Sequence, residues 1–311
     1  MPSDPSRVSL DYHLRKQGMA DELRHLLDAI ARATKYVDFA IGARTVGAVG
    51  SVNVFGEEQL KLDVLSNRII EQELCESGLV ASYVSEENPE AITCHGEKGR
   101  FGVVFDPLDG SSLVDVNFAV GSIFGIYGGG DVIGQKPRDQ VAACYIVYGP
   151  RTRMVYAAKG KGVHEFELND AGEYVLSQEF LGVGDDAKHY APGNLRVCEE
   201  NPAYRRVVED WLKRGLTLRY SGGMVPDVHH ILRKGDGVFC YPGGGTKYPR
   251  GKLRLAFECG PLSYIVEEAG GTSSDGKASI LDQRLDQIDQ RTPIIVGSKN
   301  EVMRVKNILG T

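Results

Sequence analysis

The sequence predicts a layered α/β protein, with α+β character, built from two halves. Short runs rich in valine, isoleucine and aromatic residues are typical of strands, and they alternate with longer stretches that repeat apolar residues at helical spacing. The chain has 311 residues, a length typical of about two domain-sized units. The stretch GDDAKHYAPGN, from about residue 185, is the most loop-like and predicts a boundary between residues 1–185 and 186–311.

The N-terminal half is expected to begin with two helices and to continue as a series of strands. Apolar residues recur at helical spacing between residues 20 and 41, and again from Leu62 to Leu74 after the glycine-rich turn GARTVGAVGSVNVFGEE. ASYVSEE and FGVVFD then predict two short strands, each ending in acids, and SIFGIYG and QVAACYIVYG predict two more. MVYAA and VHEFEL predict a hairpin around Lys159 to Gly162.

The C-terminal half is expected to alternate helices with strands. The predicted helices lie near residues 201–214, 227–234, 253–269 and 300–309. The predicted strands between them are LRYSG, GVFCY and PIIVGS. This order favours a layered arrangement in which helices cover a sheet.

Composition excludes several classes of partner. The net charge is −6, and lysine and arginine are scattered, so we expect no nucleic-acid partner. No apolar run is long enough to span a membrane, and the first residues lack the apolar core of a secretory signal. We therefore expect a cytoplasmic protein, with a plastid location left open if a transit peptide was removed. Six cysteines lie far apart without a CxxC motif, which predicts reduced thiols rather than disulfides.

Carboxylates follow two predicted strands of the N-terminal half. Glu86 and Glu87 end one strand, Asp106 ends another, and Asp109 comes just past the next turn. In α/β sheets, ligands bind beyond the carboxyl ends of strands. Carboxylate oxygens with no histidine or cysteine nearby favour Mg²⁺ or Mn²⁺ over zinc. The pattern therefore predicts a site for a hard divalent cation.

A phosphate-binding turn follows these acids directly. Gly110 permits a close approach of the backbone to a ligand, and Ser111 and Ser112 offer hydroxyls and successive N–H groups. The alternative is structural, with Asp106 and Asp109 capping a turn and a serine capping a helix. The serine pair and the preceding VSEE strand favour the phosphate site.

The segments VSEENPEAI, FDPLDGSS and FGIYGG resemble the fructose-1,6-bisphosphatase family of sugar-bisphosphate phosphatases. The wider group is magnesium-dependent and lithium-sensitive. The resemblance continues through GEEQLKLDVLSN, LRYSGGMVPDVHHIL, GKLRLAFECGPLSYIVEEAGGTSSDG and QRTPIIVGS, and covers roughly residues 20 to 309. It implies the sugar-phosphatase fold of that family and a metal-dependent hydrolase of carbohydrate metabolism.

The resemblance also implies roles for individual residues. The implied metal ligands are Glu57, Glu86, Asp106, Asp109, Glu258 and the carbonyl group of Leu108. The implied pair that activates the attacking water is Asp63 and Glu87. The implied cradle of the cleaved phosphate is Gly110, Ser111 and Ser112. The residues implied to hold the sugar and the other phosphate are Asn194, Tyr220, Tyr241, Lys252 and Arg254.

One further match concerns assembly. Arg219 corresponds to an arginine that the family donates across a subunit interface, which implies a homo-oligomer, a dimer or a tetramer. Structural alternatives stay open for several of these residues. Glu258 could face solvent on a helix, Tyr220 and Tyr241 could be ordinary strand aromatics, and Arg219 could form a surface ion pair.

Departures from the fructose enzymes resemble the sedoheptulose-1,7-bisphosphatase branch of the family. These are Leu113 after GSS, the segment PGNLR, Pro226, and the pair Ser273 and Ser274. The branch implies hydrolysis of the 1-phosphate of sedoheptulose 1,7-bisphosphate to give sedoheptulose 7-phosphate. Discrimination by one hydroxymethylene is often modest, so a fructose-1,6-bisphosphatase or an enzyme of both substrates is the alternative. A non-catalytic metabolite-binding protein is the alternative from another class.

Redox control by a dithiol in the glycine-rich loop is not expected. Plastid members of the sedoheptulose branch carry a regulatory cysteine pair there, and Val46 and Ser51 stand at the two matching positions. The nearest cysteine is Cys75, at the far end of the following helix. A disulfide needs two sulfurs within reach, so the sequence predicts a site that does not respond to reductant.

Overall fold

The computed structural model describes residues 8–42, 48–52, 58–94, 99–244 and 248–310. The helices are α1 (Leu10–Lys16), α2 (Asp21–Gly42), α3 (Lys61–Glu76), α4 (Pro202–Lys213), α5 (Met224–Lys234), α6 (Gly260–Glu268) and α7 (Lys299–Leu309). The strands are β1 (Ala48–Val52), β2 (Glu58–Leu60), β3 (Val80–Ser85), β4 (Ile92–Thr93), β5 (Phe101–Asp109), β6 (Val120–Gly128), β7 (Gln140–Tyr148), β8 (Arg153–Ala158), β9 (Gly162–Leu168), β10 (Tyr174–Gln178), β11 (His189–Pro192), β12 (Thr217–Leu218), β13 (Val238–Tyr241), β14 (Thr272–Ser274) and β15 (Ile294–Gly297).

Two sheets organise the chain, beside the small antiparallel pair β1 and β2. The larger sheet has eight strands in the order β10-β9-β8-β7-β6-β5-β3-β4, in which β3 and β5 run parallel and the other neighbours antiparallel. The smaller sheet has five strands in the order β12-β11-β13-β15-β14. The fold class expected from the sequence, a layered α/β protein, is confirmed.

Hydrophobic packing stacks these elements in layers. One face of the large sheet packs on α1, α2 and α3, with Leu27, Leu74 and Phe124 in a shared core. The other face shares a core with α5, α6 and the small sheet, joining Ile123, Leu262 and Val296. The opposite face of the small sheet packs on α4 and α7. Strand β6 contributes side chains alternately to the first two of these cores, because successive residues of a strand point to opposite faces of the sheet.

Local patterns in the sequence locate most elements correctly. The hairpin of β8 and β9 is confirmed, with Ala158 paired to Gly162, and α2 and α3 match the predicted helices. Two predictions need correction. The stretch expected to be a loop contains β11, which pairs in parallel with β13, and LRYSG contributes only Leu218 to a strand. In both places the backbone pairs with segments that are distant in sequence, which a local pattern does not report.

The expectation that all thiols are reduced is wrong. Cys75, at the end of α3, forms a disulfide with Cys94, just after β4, with their Cα atoms 5.1 Å apart. The strand β4 runs back along β3, and the Cys94 N–H donates to the Ala81 carbonyl at 3.1 Å. This return brings Cys94 to the C-terminal end of α3. The 19-residue separation concealed the pair in the sequence.

Among the described residues, the helices are all too short or too polar to cross a lipid bilayer.

Candidate active site

A cleft with a volume of about 750 Å³ opens where the C-terminal ends of β3 and β5 meet the start of α5 and the turn before α6. The predicted site residues that line it are Asp63, Glu86, Glu87, Asp106, Leu108, Asp109, Gly110, Ser111, Ser112, Tyr220, Tyr241, Lys252, Arg254 and Glu258. Residues more than 190 positions apart in the sequence therefore share one cavity. The lining is mostly polar, which suits a charged ligand.

A bulge in β5 directs two carboxylates into the cleft. Asp106 pairs with Ile123 and Asp109 with Gly121, so two residues of β5 oppose a single residue, Ser122, on β6. Pro107 occupies the bulge, where its missing N–H removes no ladder hydrogen bond. Its carbonyl accepts a hydrogen bond from the Ser122 hydroxyl at 2.7 Å. The DPLD motif thus forms an irregular strand end rather than an ordinary turn.

Three buried carboxylates are each held by a backbone N–H. Asp106 Oδ1 accepts from the Leu108 N–H at 2.8 Å. Asp109 Oδ2 accepts from the Val225 N–H at 2.7 Å, in the first turn of α5, where the helix dipole favours negative charge. Glu258 Oε2 accepts from the Arg254 N–H at 2.7 Å, within the π-helical turn Leu255–Cys259. Each of the three carboxylates is less than 8 % exposed.

Burial and mutual repulsion make the two aspartates hard to ionise. Desolvation, followed by the charges of Asp109 and Glu258, raises the pKa of Asp106 well above its usual value. Desolvation and the charge of Glu258 raise the pKa of Asp109 to about 7. A cation bound among them would reverse both effects, since it favours the charged forms. The donors are all oxygen atoms, which is the set that Mg²⁺ and Mn²⁺ prefer.

The turn after β5, predicted to cradle a phosphate, requires glycine at its first position. Gly110 has a φ of +77°, a conformation that L residues with a Cβ adopt only with strain. A Cβ there would also approach the Gly223 Cα to 3.4 Å. Ser111 and Ser112 begin the 3₁₀ turn Ser111–Val116 and line the cleft beside the carboxylates.

The pair predicted to activate water lies at the same end of the cavity. Asp63 stands in the first turn of α3 and is 4 % exposed. Glu87 follows β3, and its N–H donates to Ser85 Oγ at 3.2 Å. The Ser85 hydroxyl in turn donates to Asn67 Oδ1 on α3 at 2.6 Å. This link fixes the end of the strand carrying Glu87 against the helix carrying Asp63.

Glu86 and Arg254 form an ion pair inside the cleft. Arg254 is 2 % exposed, and the Glu86 side chain is 15 % exposed. The family resemblance implies that Glu86 binds the metal and that Arg254 binds the substrate. Their contact joins the expected metal region of the cleft to the expected substrate region. The guanidinium group also offsets the charge of the carboxylate, which would otherwise be buried without a partner.

A second cavity of about 590 Å³ adjoins the cleft and shares Tyr220, Tyr241 and Lys252 with it. Asn194 lines this second cavity and donates from Nδ2 to the Pro242 carbonyl at 3.4 Å. Burial raises the pKa of Tyr220 to about 12, so its phenol stays protonated and can donate at neutral pH. A lysine and phenol donors suit a phosphate group.

Two predicted residues stand apart from these cavities. Arg219 is exposed, and its Nη1 donates to the Leu218 carbonyl at 2.8 Å, so it lines neither cavity. Glu57 lies outside the residues that the structure describes. The role of each therefore stays a prediction.

Sequence reasoning missed several residues that line the cavities. Arg291 and Tyr248 line the main cleft, with the guanidinium carbon 5.3 Å from the centre of the tyrosine ring. Arg196 lines the second cavity. Arg291 reaches the cleft through a bridge between its backbone and that of Arg254. No local signal marks these residues, since their placement depends on contacts between distant segments.

Comparisons with known proteins match nearly the whole chain to one family. A family described as "Fructose-1-6-bisphosphatase, N-terminal domain" matches residues 5–179, and its C-terminal counterpart matches residues 183–310. The chain is 47 % identical over 305 residues to "Fructose-1,6-bisphosphatase class 1" of Geobacter sulfurreducens, covering 98 % of this chain and 96 % of that protein.

Two further relatives differ in their named substrate. The chain is 42 % identical over 303 residues to "Sedoheptulose-1,7-bisphosphatase, chloroplastic" of Triticum aestivum, covering 97 % of this chain and 76 % of that protein. A solved structure of Leishmania major fructose-1,6-bisphosphatase in its holo form superposes with a TM-score of 0.90 at 31 % identity. That alignment covers 98 % of this chain and 99 % of the other.

Proposed function

Because this chain belongs to the fructose-1,6-bisphosphatase family, whose members hydrolyse sugar bisphosphates, we propose that its main substrate is fructose 1,6-bisphosphate. The observation that carries the hydrolase assignment is the shared cleft, in which Asp106, Asp109 and Glu258 lie beside the Gly110 turn and open towards Lys252. A site with buried acids that can hold metal ions at one end, and the ammonium group of Lys252 at the other, suits a substrate with two phosphates.

The choice of fructose over sedoheptulose rests on the relatives. The residues at which the sequence departs from the fructose enzymes favour sedoheptulose 1,7-bisphosphate, but the comparisons do not confirm that preference. Relatives of 47 % identity are named for fructose, against 42 % for the wheat sedoheptulose enzyme. We therefore propose sedoheptulose 1,7-bisphosphate as a second substrate of the same site, which fits the modest discrimination expected for one extra hydroxymethylene.

We assign the acidic end of the cleft to Mg²⁺ or Mn²⁺. Glu86, Asp106, Asp109, Glu258 and the Leu108 carbonyl would hold the ions, with Glu57 retained as a predicted ligand. When bound, such ions supply positive charge to the phosphoryl group and acidify a bound water. Asp63 and Glu87 would accept the proton of that water, since both line the cleft beside the carboxylates.

The remaining residues would bind and orient the substrate. The Gly110 turn, with Ser111 and Ser112, would hold the phosphate that is cleaved through N–H and hydroxyl donors. Lys252 would hold the other phosphate, with Tyr220 and Tyr241 donating from their hydroxyls. Fixing both ends of the substrate places its 1-phosphate among the acids, where positioning itself lowers the barrier.

Assembly and compartment belong to the same proposal. Arg219 is exposed, so it is free of either cavity of its own chain and available to a neighbouring subunit in a homo-oligomer. Sedimentation of the purified protein would give the oligomeric state, with a monomer at assay concentration contradicting it. The cytoplasm is the compartment that we propose, from the sequence and from the bacterial relatives.

The deciding experiment measures phosphate release from both bisphosphates under the same conditions. We expect turnover of both, with the larger kcat/KM for fructose 1,6-bisphosphate. A larger kcat/KM for sedoheptulose 1,7-bisphosphate would reverse the substrate order. Absence of release from either, in folded protein supplied with Mg²⁺, would reject the hydrolase and favour a metabolite-binding protein.

A further inference from the structure

Two buried histidines and a glutamate meet on the side of the large sheet that α1 covers. His13 lies on α1, His164 on β9, and Glu179 just after β10. Their potential ligand atoms all lie within 4.8 Å of one another. Four strand spacings separate β9 from β5, so this group lies roughly 19 Å from the acidic cleft. It is therefore independent of the site described above.

The nitrogen atoms of these histidines are poorly accounted for by protein contacts. Both imidazoles are 0 % exposed. Among the described residues, neither ring nitrogen of His13 has a hydrogen-bond partner, and nor does His164 Nδ1. His13 Nδ1 lies 3.4 Å from Glu179 Oε1 without making a hydrogen bond. Buried polar atoms normally have a hydrogen-bond partner, so three neighbouring nitrogen atoms without one indicate that a ligand or an ion belongs there.

The hydrogen bond of His164 fixes which of its nitrogens can accept. His164 Nε2 lies 2.9 Å from the Lys161 carbonyl oxygen, and a carbonyl oxygen can only accept, so Nε2 carries the proton. His164 Nδ1 therefore carries a lone pair, and this atom has no hydrogen-bond partner among the described residues. Histidines that bind metals commonly donate their other N–H to a backbone carbonyl in this way.

The surroundings hold the group in position. The rings of His13 and His164 are 4.5 Å apart between centroids, and Phe166 packs 5.3 Å from His13. Lys161, in the turn between β8 and β9, donates from Nζ to the Gln17 carbonyl at 2.8 Å, which ties that turn to the end of α1. Burial lowers the pKa of both imidazoles, to about 4 for His13, so both are neutral near pH 7. Neutral imidazole is the form that binds metals.

We propose that His13, His164 and Glu179 bind one divalent transition-metal ion, with Zn²⁺ the best match. Two imidazole nitrogens and one carboxylate oxygen suit Zn²⁺ rather than Mg²⁺. Tetrahedral zinc sets its ligand atoms about 3.4 Å apart, given metal–ligand distances near 2.0 Å. The most distant ligand atoms, up to 4.8 Å apart, therefore have to close by as much as about 1.4 Å, and the Glu179 side chain, 35 % exposed, can supply part of that movement by rotation. The exposed side of Glu179 also gives the ion its entry path and leaves the fourth position to water.

The consequence of binding is a clamp on the N-terminal helix. α1 has only seven residues and contacts the rest of the chain mainly through α2 and β10, with His13 packed against β9. An ion shared by α1, β9 and the segment after β10 would join three elements at the edge of the large sheet. Binding to the folded state alone raises stability by mass action.

The test uses the full-length protein, Zn²⁺ as the probe, and saturating Mg²⁺ to occupy the acidic cleft. Zn²⁺ affinity is measured by titration against a chromophoric chelator, and Tm is measured with and without Zn²⁺. Glu179→Gln removes one ligand at a partly exposed position, with Glu173→Gln as its matched control. His13→Phe keeps a ring of similar size, and His25→Gln controls for loss of an exposed histidine.

We expect Glu179→Gln and His13→Phe each to weaken Zn²⁺ binding by at least about tenfold, since loss of even supporting groups costs that much. Both controls should bind as the wild type does. Without Zn²⁺, His13→Phe should raise Tm by about 2 °C or more, because it removes unsatisfied buried nitrogens. It should also lose the rise in Tm that Zn²⁺ gives to the wild type.

Several results would overturn the proposal. One is wild-type Zn²⁺ affinity in folded Glu179→Gln, which decides the matter even if His13→Phe does not fold. Another is that the wild type binds no Zn²⁺ when saturating Mg²⁺ occupies the acidic cleft. Loss of binding in His25→Gln instead would show an adventitious surface site.

Discussion

Asp106, Asp109 and Glu258 are buried together, and electrostatic repulsion dominates the energetics of these three side chains. Three carboxylates in one water-poor pocket repel one another unless a cation lies among them. Each accepts a hydrogen bond from a backbone N–H, which favours its ionised form but does not offset the burial of the two aspartates. The protein therefore keeps an unfavourable arrangement of charge at the place where a metal-dependent reaction needs it.

Asp109→Asn should stabilise the metal-free protein while removing most of its activity. The folded pKa of Asp109 is about 7 and its ordinary value is 3.8. Folding therefore favours its protonated form, and the stability that this gives is complete below about pH 4 and lost as pH rises through about 7. Asparagine stays neutral and can still accept from the Val225 N–H. With a chelator present, the Tm of the wild type should fall over this range more steeply than that of the variant.

The same variant provides the functional half of the test. With Mg²⁺ present, Asp109→Asn should lose most phosphate release because one ligand charge is gone. Asp170→Asn, an exposed aspartate in a turn, is the matched control and should change neither property. Near-wild-type turnover in Asp109→Asn would remove Asp109 from the metal ligands.

Asp63→Asn should reduce kcat by about 10²- to 10⁴-fold with a smaller effect on KM, as expected for the loss of a general base. The reason is that proton transfer from the attacking water matters in the transition state and not in substrate binding. Steady-state assays over a range of substrate concentrations separate the two constants. A change confined to KM would mean that Asp63 serves binding instead.

At the scale of elements, the bulge in β5 and the turn before α6 are irregular where the chemistry is expected. The bulge lets Asp106 and Asp109 face one cavity although they are three residues apart on a strand. The π-helical turn Leu255–Cys259 brings Glu258 to the same cavity before α6 begins. Single-turn π segments are often found at functional sites. Both irregularities re-aim side chains that regular elements would separate.

The Cys75–Cys94 disulfide should matter for stability rather than for activity. Cys75 stands twelve residues beyond Asp63 on α3, about 18 Å along the helix, and Cys94 lies near the end of β3 remote from Glu87. Closing a loop of this length stabilises by about 3 kcal/mol. Reduction, or Cys94→Ser, should therefore lower the free energy of unfolding by about that amount.

Phosphate release before and after a dithiol reductant checks the other half of this prediction. Turnover should be little changed, and Cys198→Ser, which removes a cysteine outside the disulfide, should change neither stability nor turnover. Several-fold activation by the reductant, reversed by oxidation, would show that the disulfide controls the site after all.

For the whole molecule, the position of the cleft follows from the layering. The helices α5 and α6 lie between the two sheets, and the cleft opens at the ends of β5 and β13, one from each sheet. Carboxylates come from the side of the large sheet and from the turn before α6, whereas Tyr241 comes from the small sheet. Substrate bound across the cleft would therefore contact both halves of the chain.

Removal of divalent metal should stop phosphate release without unfolding the protein. The two large cores do not depend on the cleft, so the far-ultraviolet circular dichroism spectrum should be unchanged by a chelator. Added Mg²⁺ or Mn²⁺ should restore turnover. Full activity in the presence of excess chelator would contradict the assignment of the acidic cluster to a metal.

The sequence by itself determined the local elements and the acids that line the cleft. Apolar spacing located α2 and α3, β-branched runs located the β8–β9 hairpin, and the FDPLDGSS segment predicted the acids of the cleft and a phosphate-binding turn. Such features are set by neighbours within a few residues, so a local pattern contains them.

Only the tertiary structure decided which distant residues meet. The parallel pairing of β11 with β13, the Cys75–Cys94 disulfide, the Glu86–Arg254 ion pair and the group of His13, His164 and Glu179 all join distant segments. Their geometry depends on how the layers pack, and packing is governed by shape and burial summed over the whole chain. A histidine on a short helix gives no local sign that a second histidine, some 150 residues later, will lie against it.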